Sequence, residues 1–219
     1  MGNIIEVTEA FVKQSLEEDS TGHDWFHIER VRRNALTISE NEQKGNSFII
    51  EMASLLHDIP DEKLNESAEA GKEKLQSFLN TLPLKESEKE HITEIIFSIS
   101  FKGGNGQTLA SVEAEVVQDA DRLDAIGAIG IARAFAYGGK KGNPIYHPDF
   151  EVRENMTLEE YRGGKSSSIH HFYEKLLKLK DQLNTHTAKK MADKRHDFME
   201  LFLKEFYNDW NGKDENNLD

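Results

Sequence analysis

Apolar residues recur at steps of three and four along most of this chain, and no stretch alternates apolar and polar residues convincingly. Steps of three and four bring side chains to one face of a helix, whereas a strand repeats every second residue. Ile28, Val31, Ala35 and Ile38 therefore predict a helix starting near Asp24. Val112, Val116, Val117, Ala120, Leu123 and Ile126 predict another. The run Phe48, Ile49, Met52, Ala53, Leu55 and Leu56 is apolar on more than one side, which marks a helix central to the fold. With only four prolines and a charged fraction of 31% against 37% hydrophobic, the composition suits helices with one solvated face. The expectation is an all-α helical bundle, one compact domain over residues 1–211, followed by an acidic, disordered tail over 212–219.

The remaining segments fill in that outline. Ile5, Val7, Phe11, Val12 and Leu16 predict a first amphipathic helix, and a charged helix follows around Glu66 to Leu79. Ser87 with Glu90 reads as a capping box ahead of Ile92, Ile95, Ile96 and Ile99. Gly127 and Gly130 fall inside a predicted long helix or bent pair ending near Tyr137, where they would permit a close neighbour. Gly138 to Glu154 reads as an irregular loop, and Thr157 with Glu160 as a second capping box. Two helices close the chain. One runs from Ile169 towards Leu183, and one from about Ala188 to Trp210 buries Met191, Phe198, Leu201, Phe202 and Phe206.

Charge limits the partners. Forty acidic against 27 basic residues leave a net charge of −13, which argues against nucleic acid and anionic membrane surfaces. A polyanionic small substrate would then need a local positive centre, such as a metal or a lysine cluster. The chain has no cysteine, so disulfides and cysteine-based zinc sites are excluded. Glu6, Glu9 and Lys13 interrupt the first sixteen residues, so no secretory signal is read there, and no apolar run is long enough to cross a bilayer. A cytoplasmic protein is expected.

The chemistry centres on Leu55-Leu56-His57-Asp58, an imidazole and a carboxylate side by side at the end of the apolar run. They could hold a divalent metal if other ligands fold back onto them. His27 lies upstream, four residues before Val31 and beside the buried stripe of its helix; Asp121 lies downstream on the flank of another stripe. A mixed His/Asp set with no thiolate suits one divalent ion such as manganese, iron, magnesium or zinc. Such an ion neutralises phosphate oxygens and activates water, which fits hydrolysis of a phosphate ester or anhydride.

The ordered set His27, His57-Asp58 and Asp121 resembles the H…HD…D signature of the HD-domain metal-dependent phosphohydrolases. The strings His27-Ile28-Glu29-Arg30-Val31, Leu55-Leu56-His57-Asp58-Ile59 and Asp119 to Gly127 are similar to the YpgQ-like branch, whose members are helical bundles that cleave nucleoside triphosphates. The similarity extends over Lys165 to Asp181. It implies His27, His57, Asp58 and Asp121 as metal ligands; the expected cofactor is one divalent ion, manganese favoured over magnesium, iron, nickel or zinc. It also implies a nucleotide as the small-molecule substrate, cut between its α and β phosphates.

Other positions have supporting roles in that reading. His23-Asp24 is a second His-Asp dipeptide that competes for the first ligand position. His27 is preferred because the Arg-Val that follows the first ligand in the family follows it here, and His23 then stands at the mouth of the site. Asp61 and Glu62 lie where related enzymes carry an acidic catalytic residue, and either orients the attacking water unless both are simply solvated acids at a helix end. Arg30 and Asp124 are candidates to brace a ligand imidazole. Gly163-Gly164-Lys165-Ser166 lacks the first glycine and the strand of a P-loop, yet Lys165, with His170, Lys175 and Lys178, is the most concentrated positive feature and a candidate for holding phosphate. Two other readings stay open: hydrolysis of nucleoside monophosphates or cyclic nucleotides, and a nucleotide- or metal-binding regulator without turnover. The oligomeric state is open, a homodimer included.

Overall fold

The computed structural model describes residues 2–16, 24–62, 64–99, 109–153 and 166–213. These residues form helices and no strand. The helices are α1 (Gly2–Ser15), α2 (Trp25–Glu42), α3 (Ser47–Leu56), α4 (Ala68–Thr81), α5 (Glu86–Ile99), α6 (Val112–Asp124), α7 (Gly127–Lys141), α8 (Ser168–Glu174) and α9 (His186–Asn211), with short 3-10 turns at Leu176–Lys178 and Lys180–Gln182. No described helix is long and apolar enough to cross a membrane.

Helix starts follow from side chains that satisfy the otherwise unpaired first N–H groups. Asp24 caps α2, Asn46 caps α3, Ser67 caps α4, Ser111 caps α6 and Thr185 caps α9. The helix after Pro83 starts one residue ahead of the predicted box. Its first residue is Glu86, and Glu88 reaches back to accept the Lys85 N–H at 2.9 Å, the reciprocal half of a capping box.

α3 is the centre of the molecule. Ile49, Ile50, Met52, Ala53, Ser54, Leu55 and Leu56 are all buried, and the helix packs against α1, α2, α5 and α6. The buried apolar residues form one cluster running from Val12 to Leu203. α2 packs most extensively on α6 and next on α3. Those two contacts bring three distant stretches of sequence to one place.

α6 and α7 are separate helices with a sharp bend between them. Gly127 has φ +74°, a conformation L side chains rarely adopt, and a Cβ there would lie 3.0 Å from the Arg195 side chain. At Gly130 a Cβ would meet the Ala125 carbonyl oxygen at 2.2 Å, so close approach is the role of both glycines. α7 continues past Tyr137 to Lys141, so the irregular segment is shorter than expected, and its second half, 154–165, lies outside the described residues together with the Thr157–Glu160 box.

Two other expectations change. The helix from Ile169 ends at Glu174, because Lys175 leaves the helical region (φ −138°, ψ −58°), and 3-10 turns carry the chain onward. On α9 the buried residues are Ala188, Ala192, Met199 and Leu203, whereas Phe198 and Leu201 are 47% and 53% exposed. α9 lies on α2, α6 and α7 along a stripe of small and flexible side chains, and that stripe turns Phe198 and Leu201 outwards. α9 ends at Gly212 in the left-handed conformation, and residues 214–219 of the tail lie outside the described residues.

Candidate metal centre

His27 sits in the first turn of α2 with no exposed surface, and the Asp24 carboxylate accepts its backbone N–H at 2.8 Å. His57 and Asp58 follow α3 in a tight turn. In that turn the Ile59 N–H donates to Leu56 O and the Asp61 N–H to Asp58 O, both at 3.0 Å. The two side chains are 4% and 11% exposed. Asp121 projects from α6 with its side chain 43% exposed, the open side of the cluster. Because α2 contacts both α3 and α6, the three stretches meet.

Hydrogen bonds decide where the two imidazoles keep their lone pairs. His57 Nδ1 lies 2.8 Å from Ser54 O, and His27 Nδ1 lies 2.7 Å from an Asp124 carboxylate oxygen. Both partners accept, so Nδ1 donates in each ring and a neutral ring has its lone pair on Nε2. The two Nε2 atoms are 3.3 Å apart. Asp58 Oδ2 lies 3.4 Å from the His27 Nε2 and Asp58 Oδ1 3.4 Å from the His57 Nε2, and Asp121 Oδ1 lies 3.6 and 3.9 Å away from the two. Ligands about 2.1 Å from a common ion at tetrahedral or octahedral angles stand roughly 3.0–3.4 Å apart, a spacing that the two imidazoles and Asp58 match and that Asp121 exceeds by a few tenths of an ångström. His27, His57 and Asp121 could hold an ion, and Asp58 stands beside them.

Electrostatics supports the same point. Burial alone would pull the His27 pKa down, but the Asp124 hydrogen bond and the carboxylates of Asp58 and Asp121 outweigh it and push it up to about 9. The same carboxylates, two of them facing the Nε2 atoms, would favour a divalent cation at that point. Asp124, on α6, is almost completely buried and accepts from His27, from Arg30 at 2.6 and 3.0 Å, and from Arg133 at 2.7 Å. Burial alone would raise its pKa, but these donors hold it well below the usual carboxylate range, so it stays an anion.

The other predicted site residues divide into four groups. Asp24, Arg30 and Asp124 adjoin the centre through His27, Asp24 at its backbone and the other two at or behind its ring. Asp61, partly exposed, and Glu62, exposed, follow Asp58 in the same turn. The α8 region is a separate matter. His170 is 5% exposed; its Nε2–H donates to Phe150 O at 2.8 Å, and its Nδ1 then accepts from the Ser167 hydroxyl at 2.6 Å, so both ring nitrogens are used, one on the 143–153 loop and one on the N-cap of α8. Lys175 is partly buried at the end of α8, and Lys178 is exposed. His23 and Lys165 lie outside the described residues.

Arg133 is the functional candidate that sequence reasoning missed. A signal was present: it is the single charged residue between Gly127 and Gly139, and an arginine on an otherwise apolar helix needs a buried partner.

The profile of the HD domain matches residues 25–126, a span that contains all four clustered side chains. YpgQ of Bacillus subtilis strain 168 is 37% identical over 211 residues, covering 95% of each chain. The chain belongs to the HD-domain family. Among solved structures, an HD-superfamily hydrolase from Bacillus thuringiensis is 49% identical with a TM-score of 0.76, covering 96% of this chain and 98% of its own. Bacillus subtilis YpgQ, solved in complex with ADP, is 36% identical with a TM-score of 0.76, covering 96% and 100%. As an HD-superfamily hydrolase, this chain is a metal-dependent phosphohydrolase.

Proposed function

We propose that this HD protein hydrolyses nucleoside or deoxynucleoside triphosphates between the α and β phosphates, giving the monophosphate and pyrophosphate. Residues 1–211 would act as one catalytic domain. The observation that carries the reading is the convergence of two imidazole lone pairs and two carboxylates on one point, with Asp121 on its open side. The ADP bound to YpgQ supports a nucleotide as the substrate class.

His27, His57, Asp58 and Asp121 would hold one divalent ion, manganese favoured. When bound, such an ion neutralises phosphate charge and makes water a better nucleophile at neutral pH. Asp124 and Ser54 O keep the ligand rings in the tautomer that offers Nε2. Asp61 or Glu62 orients the water and takes its proton as the oxygen joins phosphorus, and the bridging oxygen leaves with pyrophosphate. Lys165, Lys175 and Lys178 are the candidates for the remaining phosphates. With both ring nitrogens engaged, His170 shapes that segment rather than binding anions.

Incubating manganese-loaded protein with a panel of triphosphates, monophosphates and cyclic nucleotides tests the reading. The expected products are monophosphate and pyrophosphate in equal amounts. Release of inorganic phosphate from monophosphates alone, or tight nucleotide binding without product under several metals, would replace it.

A further inference from the structure

Arg133 has no counterpart among the roles assigned so far. It lies on α7, its side chain is 22% exposed, and among the described residues its hydrogen bonds all go to one place. Nη1 donates to Asp124 Oδ2 at 2.7 Å, with Asp124 O at 3.5 Å and His27 Nδ1 at 3.2 Å. The Oδ2 atom thus receives three donors, His27 Nδ1–H, Arg30 and Arg133. Guanidinium only donates, so Arg133 and His27 stand side by side on the same oxygen.

The three partners of Asp124 are not equivalent. His27 and Arg30 ride on the same helix, three residues apart, so they tie the carboxylate to α2 alone. Arg133 ties it to a third helix, and the bend at Gly127 is what returns that helix to the carboxylate nine residues later. Two guanidinium groups on one carboxylate also disfavour transfer of the His27 proton to it, because each stabilises the anion.

We infer that Arg133 is a positioning residue of the metal centre: it fixes the Asp124 carboxylate so that His27 keeps its proton on Nδ1 and aims Nε2 at the ion. The inference rests on His27 being a ligand, as proposed above. An outer partner of a ligand histidine acts on metal affinity through ring orientation, so binding is the direct readout.

The experiment titrates Mn(II) and Zn(II) calorimetrically into chelator-treated wild type, Arg133→Met and Arg133→Lys. NMR of the zinc-loaded proteins follows exchange of the His27 Nδ1 proton with water. Arg133→Met is expected to bind both ions about 10- to 100-fold more weakly, with Arg133→Lys recovering part of the loss. The Nδ1 proton of Arg133→Met should exchange roughly tenfold faster, since its acceptor is held less firmly. Affinity within threefold of wild type overturns the inference. So does weaker binding with unchanged proton exchange, which would mark an effect of charge or folding. If wild type binds neither ion, it is the ligand assignment that fails, and the two failures are distinct.

Discussion

His27 and His171 are both histidines largely withdrawn from water, and their surroundings drive them in opposite directions. Around His27 carboxylates overcome burial and push its pKa up to about 9. At His171 burial dominates, the charges of Lys175 and Arg153 add to it, and Glu174 opposes them too weakly; the pKa falls to about 4. Between pH 6.5 and 4 the unfolded chain therefore takes up a proton at this position that the folded chain refuses. Stability contributed here is full above pH 6.5 and is lost as pH falls, by on the order of 2 kcal/mol between pH 7 and 5. Urea unfolding at those two pH values should show a drop in wild type that is smaller in His171→Gln. An equal drop in both proteins would mean that His171 is not held neutral. Residue chemistry of this kind is only half legible in a sequence. His27, His57, Asp58 and Asp121 could be picked out because their types and order are unusual, but nothing local distinguishes His170, spent on Ser167 and Phe150 O, from a histidine free to bind phosphate.

Helices in this fold are held in place at their ends as much as along their faces. Asp119, wholly buried on α6, accepts the backbone N–H groups of Asn184 and Thr185 at 2.9 and 2.7 Å and the Thr185 hydroxyl at 2.8 Å, anchoring the start of α9. Asp119→Ala leaves those buried donors without their acceptor and should cost about 3 kcal/mol in chemical unfolding. α4 lies against the turn that carries His57 and Asp58. A Cβ on Gly71 would stand 2.7 Å from Pro60 O and 2.9 Å from Pro60 Cα, backbone atoms that can yield only by shifting the turn. Gly71→Ala should lose about 1–3 kcal/mol and also bind Mn(II) more weakly, although it touches no ligand. Wild-type metal affinity in that variant would show that the turn tolerates the shift. Element positions were legible where periodicity was strong, as in α2, α3 and α6. Which way α9 faces was not, because Phe198 and Leu201 satisfy a helical stripe as well as Met199 and Leu203 do, and α2, α6 and α7 select between them.

At the scale of the whole molecule the candidate metal centre joins α2, α3 and α6, so an ion bound there would favour the folded state over the unfolded one. A ligand at a hundred times its Kd adds about 2.7 kcal/mol to unfolding. Manganese or zinc should therefore raise the melting temperature of chelator-treated protein in a concentration-dependent way, and His57→Ala should lose most of that rise. A rise that persists undiminished in His57→Ala would place the stabilising ion elsewhere.

Fold class and the kinds of atom available for chemistry were already present in the order of the residues. Helical period is a property of neighbours three and four apart, and the absence of cysteine and the presence of an ordered His, His-Asp, Asp set are facts of composition and order. Which ring nitrogens face one another, that Asp124 braces His27 across 97 residues, and that Arg133 reaches the same carboxylate from α7 follow from the packing of the helices. Those outcomes depend on distances between helices, which are settled by how α2, α3, α6 and α7 bury their faces together and not by any spacing along the chain.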